Sequence, residues 1–144
     1  MTALEFMNRA YRIELRIRLK KEQMEEIRSL ASHITAGYGS EQVSHSRNTT
    51  SMDDNVIRII EHEKELEQKI AELCAVRDET REVIDLVADR DCRVLLEGRY
   101  LNAKTWKNIS EECGLSIRQA IRKDKLALRM VETVLRTREA GKHA

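Results

Sequence analysis

The sequence predicts an all-α protein, a long N-terminal coiled-coil helical hairpin followed by a C-terminal helix-turn-helix domain. Three observations carry that expectation. The 144 residues contain no proline, against an ordinary usage of about 5%, and only five glycines. Charged residues make up 35% and aromatic residues 3%, so a large core enclosing a substrate pocket would have to be built from aliphatics alone, whereas thin helical packing suits them. Apolar residues also recur at three-and-four spacing over long stretches, the period of a helical seam.

The first helix is expected over residues 2 to 36. Residues 11 to 19, YRIELRIRL, alternate apolar and polar like a strand, but they lie inside a longer repeat of Ala3, Phe6, Ala10, Ile13, Ile17, Lys20, Met24, Ile27, Ala31 and Ile34. Length decides for the helix, with Gly37 as its stop. Residues 37 to 51, GYGSEQVSHSRNTTS, lose the periodicity and are expected to form a flexible loop. Ser51, followed by Asp53 and Asp54, then offers a capped start for a second helix. Its stripe is Met52, Val56, Ile59, Glu63, Leu66, Ile70, Leu73, Arg77, Thr80, Ile84 and Val87.

Two such helices can fold back as an antiparallel hairpin over residues 1 to 88, or share their seams between two chains. If Ile34 sits near Met52, Met24 lies near Glu63, and Lys20 comes within diagonal reach of Glu63. That pair either fixes the register or reaches out to water. Glu61, Glu63, Glu65 and Glu67 fall on different faces and read as a solvated surface, not a metal or acid-base cluster. His62 stands alone, and Cys74, Cys92 and Cys113 match no metal-ligand spacing and read as reduced structural thiols. No cofactor is expected.

The net charge of +1 conceals an asymmetry. Residues 1 to 98 hold 15 basic and 20 acidic side chains, whereas residues 99 to 144 hold 11 basic and 5 acidic. Only the C-terminal part is suited to a polyanion, unless the two parts simply attract each other. There, DCRVLLEGRYLN, KTWKNISEECGLS and IRQAIRKDKLALRMVETVLR read as helix, helix, tight turn and helix over residues 89 to 136, with 137 to 144 as a tail. Thr105 can cap the middle helix, Gly114 supplies the turn and Ser116 caps the last helix.

With Arg118 at zero on the last helix, Arg122, Lys125 and Arg129 fall at about 40°, −20° and 20°, at roughly 100° per residue. Four cations therefore share one face, while Ile117, Ile121, Leu128, Val131 and Leu135 are expected on the other side, toward the core. Near the start of such a helix Arg118, Gln119 and Arg122 are placed to read bases, arginine pairing with guanine and glutamine with adenine. Lys104, Thr105, Lys107, Lys125 and Arg129 would meet phosphates, with Ser116 at the turn.

The stretch RYLNAKTWKNISEECGLSIRQAIRKDKLAL resembles the C-terminal domain of phage and prophage late transcription regulators of the ArpU and RinA type from Gram-positive bacteria. It is also similar to region 4 of sigma-70 factors. The likeness covers about residues 88 to 136. By it, Thr105, Trp106 and Ile109 correspond to the first helix of the motif, Gly114 and Leu115 to its turn, and Arg118, Gln119 and Arg122 to the DNA-reading helix. Ala120 and Lys123 depart from the family pattern, where larger or apolar residues are usual, and put the base-reading assignments in question more than the motif.

The resemblance implies a sequence-specific DNA-binding transcription regulator, an activator of phage late or packaging genes working with host RNA polymerase or another phage-encoded protein. The expected setting is the cytoplasm of the host bacterial cell. A homodimer on two half-sites is expected, and no membrane partner, because no run approaches the roughly 18 apolar residues of a spanning helix. The competing classes are a small-terminase-like packaging protein and a coiled-coil interaction module that does not bind DNA. Enzyme function finds no phosphate-binding loop, nucleophile with base, or metal cluster to rest on.

Overall fold

A computed structural model describes residues 1–38 and 46–142. Every regular element among them is helical: α1 (Ala3–Asn8), α2 (Ile13–Tyr38), α3 (Ser46–Asp85), α4 (Arg90–Leu96), α5 (Trp106–Cys113) and α6 (Ile117–Lys142). A π-helical turn, Glu97–Leu101, continues α4. The fold is all-α, and among the described residues no helix is long and apolar enough to cross a membrane.

The single helix expected over residues 2 to 36 is broken. Thr2 opens α1 with a capping box, its hydroxyl accepting from the Glu5 N–H while the Glu5 carboxylate accepts from the Thr2 N–H. After Asn8 the chain tightens, the Ala10 N–H bonding the Met7 carbonyl and the Tyr11 N–H the Asn8 carbonyl. Arg12 then takes a left-handed φ of 50°, a conformation unusual for a residue with a side chain. The bend lays α1 against α6, and Met7 becomes as buried as Phe6, Ala10 and Ile13.

The predicted loop is also shorter. The first of these long helices continues through Tyr38, and α3 begins at Ser46, five residues before the expected Ser51 cap. Residues 46 to 51 contain Ser, Asn and Thr but no glycine or proline, and the cost of such residues in a helix is only a few tenths of a kcal/mol each, up to about 0.7. A long helix tolerates that. Residues 39 to 45 of the expected loop lie outside the described residues.

The chain divides into two compact units, Met1–Leu15 with Cys74–Ala144, and Arg16–Leu73. The boundary read from the sequence, at 88/89, differs because Val83, Ile84 and Val87 near the end of α3 are buried in the first unit. In the second unit α2 and α3 bury Ile17, Met24, Leu66 and Leu73, all seam positions. Glu63 does not meet Lys20. Arg28 Nε donates to Glu63 Oε1 at 3.0 Å, while Lys20 Nζ donates to Gln23 Oε1 at 3.4 Å on its own helix. The partner of Glu63 thus lies one turn beyond Met24, its expected neighbour.

Polar breaks in the α3 stripe are satisfied within the first unit. The Thr80 hydroxyl, fully buried, donates to the Val76 carbonyl at 2.7 Å, and Arg77 faces Glu14 at 3.7 Å. Glu79 joins Arg9 at 3.0 Å and Arg138 at 3.8 Å, tying the last part of α6 to α3. The expected tail is accordingly helical through Lys142, and residues 143 and 144 lie outside the described residues.

Candidate nucleic-acid interface

The C-terminal elements are set by caps that the sequence spells out. Asp89 caps α4, its carboxylate accepting from the Asp91 and Cys92 N–H groups, and the resulting charge stabilisation holds its carboxyl below the ordinary value. Thr105 caps α5 by accepting from the Asn108 N–H at 3.2 Å. Gly114 closes α5 with φ 67°, a left-handed turn that glycine adopts without steric cost. At the start of α6 the Ser116 hydroxyl accepts from the Gln119 N–H at 3.1 Å, and Gln119 Oε1 accepts from the Ser116 N–H at 2.9 Å. That reciprocal pair is a capping box.

Leu95, Ile109 and Ala120 form the buried contact between α4, α5 and α6, with Trp106 and Cys113 packed against it. Ala120 is completely buried, so its small side chain marks a close approach of helices and not a loosening of α6. Lys123 is held by Asp91 at 3.5 Å.

A buried polar pair then fixes the rotation of α6. The π turn brings the Tyr100 hydroxyl to Asp124, donating to its two carboxylate oxygens at 3.0 and 3.2 Å, and both residues are at least nine-tenths buried. Burial pushes the Asp124 carboxyl above the usual range, opposed by the Tyr100 hydrogen bond and the nearby Arg99 charge. Burial also raises the Tyr100 hydroxyl, helped by the adjacent carboxylate, so it stays a donor. Arg99 lies over the Trp106 ring at 4.4 Å and donates to the Lys104 carbonyl at 3.0 Å, linking the π turn to the start of α5.

With Asp124 inward alongside Ala120, Ala127 and Val131, the core face of α6 lies at roughly −150° from Arg118, at about 100° per residue. The ridge of Arg118, Arg122, Lys125 and Arg129 points the opposite way, and all four are exposed. The ridge spans roughly 16 Å along the axis at 1.5 Å per residue. Ile117 and Ile121, expected in the core, are 47% and 39% exposed. The buried carboxylate and alanines define the core side, and those two isoleucines flank the ridge instead.

The cations of this region fall into two groups. Arg99, Lys104, Lys123, Arg136 and Arg138 are engaged within the chain, Lys104 with Glu112 at 2.8 Å and Arg136 with Glu132 at 3.1 Å. Lys107, Arg118, Arg122, Lys125, Arg129 and, at the end of α6, Lys142 are exposed and form no ion pair among the described residues. Two sequence assignments change in detail. Lys104 reaches a phosphate only by leaving Glu112, and Gln119 pairs bidentately with adenine only by opening the capping box, because that pairing uses the same oxygen. Thr105 and Ser116 remain exposed at the two caps.

Sequence reasoning missed Tyr100 and Asp124. The signal was present, since Asp124 falls on the face of Ala120, Ala127 and Val131. Among the described residues no group of three or more His, Cys, Asp or Glu side chains is arranged to hold a metal ion. The helical class defined by α4 to α6 is that of a helix, glycine turn and basic helix, with α1 packed against α6. The family is shown by comparison: the chain belongs to the family described as "Protein of unknown function (DUF1492)", whose model matches residues 34–132. Comparison with curated proteins and with solved structures gives no match.

Proposed function

We propose that this protein is a sequence-specific DNA-binding transcription regulator whose α5, glycine turn and α6 act as a helix-turn-helix, with α6 entering the major groove. One observation carries the reading: Arg118, Arg122, Lys125 and Arg129 share the outward face of α6, are all exposed and pair with no carboxylate among the described residues, with Lys107 near the start of α5 in the same state. Arg118 and Arg122 read bases, while Lys107, Lys125 and Arg129 neutralise phosphates.

The likeness of residues 88 to 136 to ArpU- and RinA-type regulators and to sigma region 4 supports activation of phage late or packaging genes together with host RNA polymerase. The N-terminal hairpin supplies self-association as a homodimer, a reading supported by the exposure of Val56, Ile57 and Ile60 on α3. The test is selection of duplexes from a random pool by the full chain, followed by affinity measurements on the enriched sequence. Arg118→Ala should cost roughly 1 to 3 kcal/mol and relax the preference at one base pair. Arg129→Ala should weaken all duplexes alike. Unchanged affinity in both variants, with helicity intact, contradicts the reading.

A further inference from the structure

The first turns of α6 carry two aliphatic side chains that the core does not use. Ile117 and Ile121 are 47% and 39% exposed and lie one turn apart. From Arg118 they fall at about −100° and −60°, beside a ridge centred near 10°, at roughly 100° per residue. We propose that Ile117 and Ile121 are specificity-determining residues that contact the C5-methyl groups of thymines next to the bases read by Arg118 and Arg122. The proposal rests on the DNA-binding reading above and adds the base class that the apolar flank selects.

Charge decides the occupant. Arg118, Arg122 and Lys125 border the pair and have no carboxylate partner among the described residues. An apolar protein surface seated there would bury those charges unpaired, which is costly. A nucleic acid neutralises them with phosphates and guanine acceptors and still offers an apolar group, because in the major groove thymine alone among the unmodified bases presents a methyl. The capping box works in the same direction. With Gln119 Oε1 held by the Ser116 N–H, glutamine does not pair bidentately with the adenine of an A·T pair while the box is closed, and the thymine methyl is the apolar mark of that pair.

The test uses the full chain and the duplex enriched from a random pool, with thymines replaced one at a time by uracil, which removes the methyl and leaves pairing unchanged. Fluorescence anisotropy should show a loss of about three- to fivefold at one or two positions, the worth of one methyl-sized apolar contact. The loss should vanish in Ile121→Ala or Ile117→Ala and persist in Ile121→Val, with circular dichroism unchanged. Equal binding of thymine and uracil duplexes by the native chain, or the same penalty in the alanine variants, overturns the proposal while leaving the DNA-binding reading intact. Loss of self-association in the alanine variants, with DNA affinity unchanged, assigns the pair to a protein contact and also overturns it. A pool from which no duplex is enriched overturns the DNA-binding reading itself.

Discussion

Tyr100→Phe removes one oxygen and tests what orients the basic ridge. The hydroxyl donates to both Asp124 oxygens, and neither residue is more than 9% exposed, so water does not replace the lost donor. Hydrogen bonds to charged groups contribute about 1.5 to 3 kcal/mol, and a loss of that size is expected at pH 7. The pH dependence gives a second signature. Burial already raises the Asp124 carboxyl, and the Tyr100 hydrogen bond pulls it back, so the substitution raises it further. A folded-state value above the unfolded value of about 3.9 means the folded chain holds a proton that the unfolded chain releases. Stability from this group is therefore greatest at low pH and falls as pH rises from about 4 toward the folded value. The cost of Tyr100→Phe should be larger at pH 7 than at pH 4, and Asp124→Asn should abolish the difference. Urea unfolding followed by circular dichroism at the two pH values measures it. A cost below about 0.5 kcal/mol at pH 7, within the range of ordinary surface changes, or one that is equal at both pH values, refutes the argument.

Two other predictions follow from the same unit. Gly114→Ala should cost about 1 to 2 kcal/mol in the same unfolding assay, since the left-handed turn carries roughly that penalty for a residue with a Cβ; no loss would mean that the turn relaxes. Cys92 is completely buried and its thiol is pushed up by burial, so a thiol reagent should modify half-buried Cys74 and Cys113 in the native chain and reach Cys92 only on unfolding. Equal rates at all three would contradict the packing of α4.

The parts of the fold legible in the sequence are those in which periodicity and burial coincide. The stripe from Ala3 to Met24, Lys20 excepted, names buried residues because the seam persists on both sides of the bend at Arg12. The bend itself was hidden, since an arginine in a left-handed conformation looks like any other exposed helical residue. The Lys20–Glu63 pair did not form because the longer Arg28 side chain takes Glu63 while Lys20 stays with Gln23 on its own helix. On α6 the cationic ridge was legible from angles alone, but the core side was placed too near Ile117 and Ile121. Asp124 was not counted as a core residue, although Tyr100 makes it one. The capping box was spelled out as Ser116-Ile117-Arg118-Gln119, a serine with a glutamine three positions later, and it qualifies the role first given to Gln119.

The central claim is that the basic ridge of α6 and Lys107 meet DNA phosphates and bases, and the salt dependence of binding tests it most directly. Association of the full chain with the enriched duplex should be measured by anisotropy across a series of salt concentrations. With Lys107, Lys125 and Arg129 at phosphates and Arg118 and Arg122 at bases, the logarithm of affinity should fall with the logarithm of salt with a slope of about −2.7 per bound chain, at roughly −0.9 for each phosphate neutralised. Arg129→Ala should reduce that slope by about one. A slope near zero, or one unaltered by removing Arg129, would contradict the assignment of this face to nucleic acid.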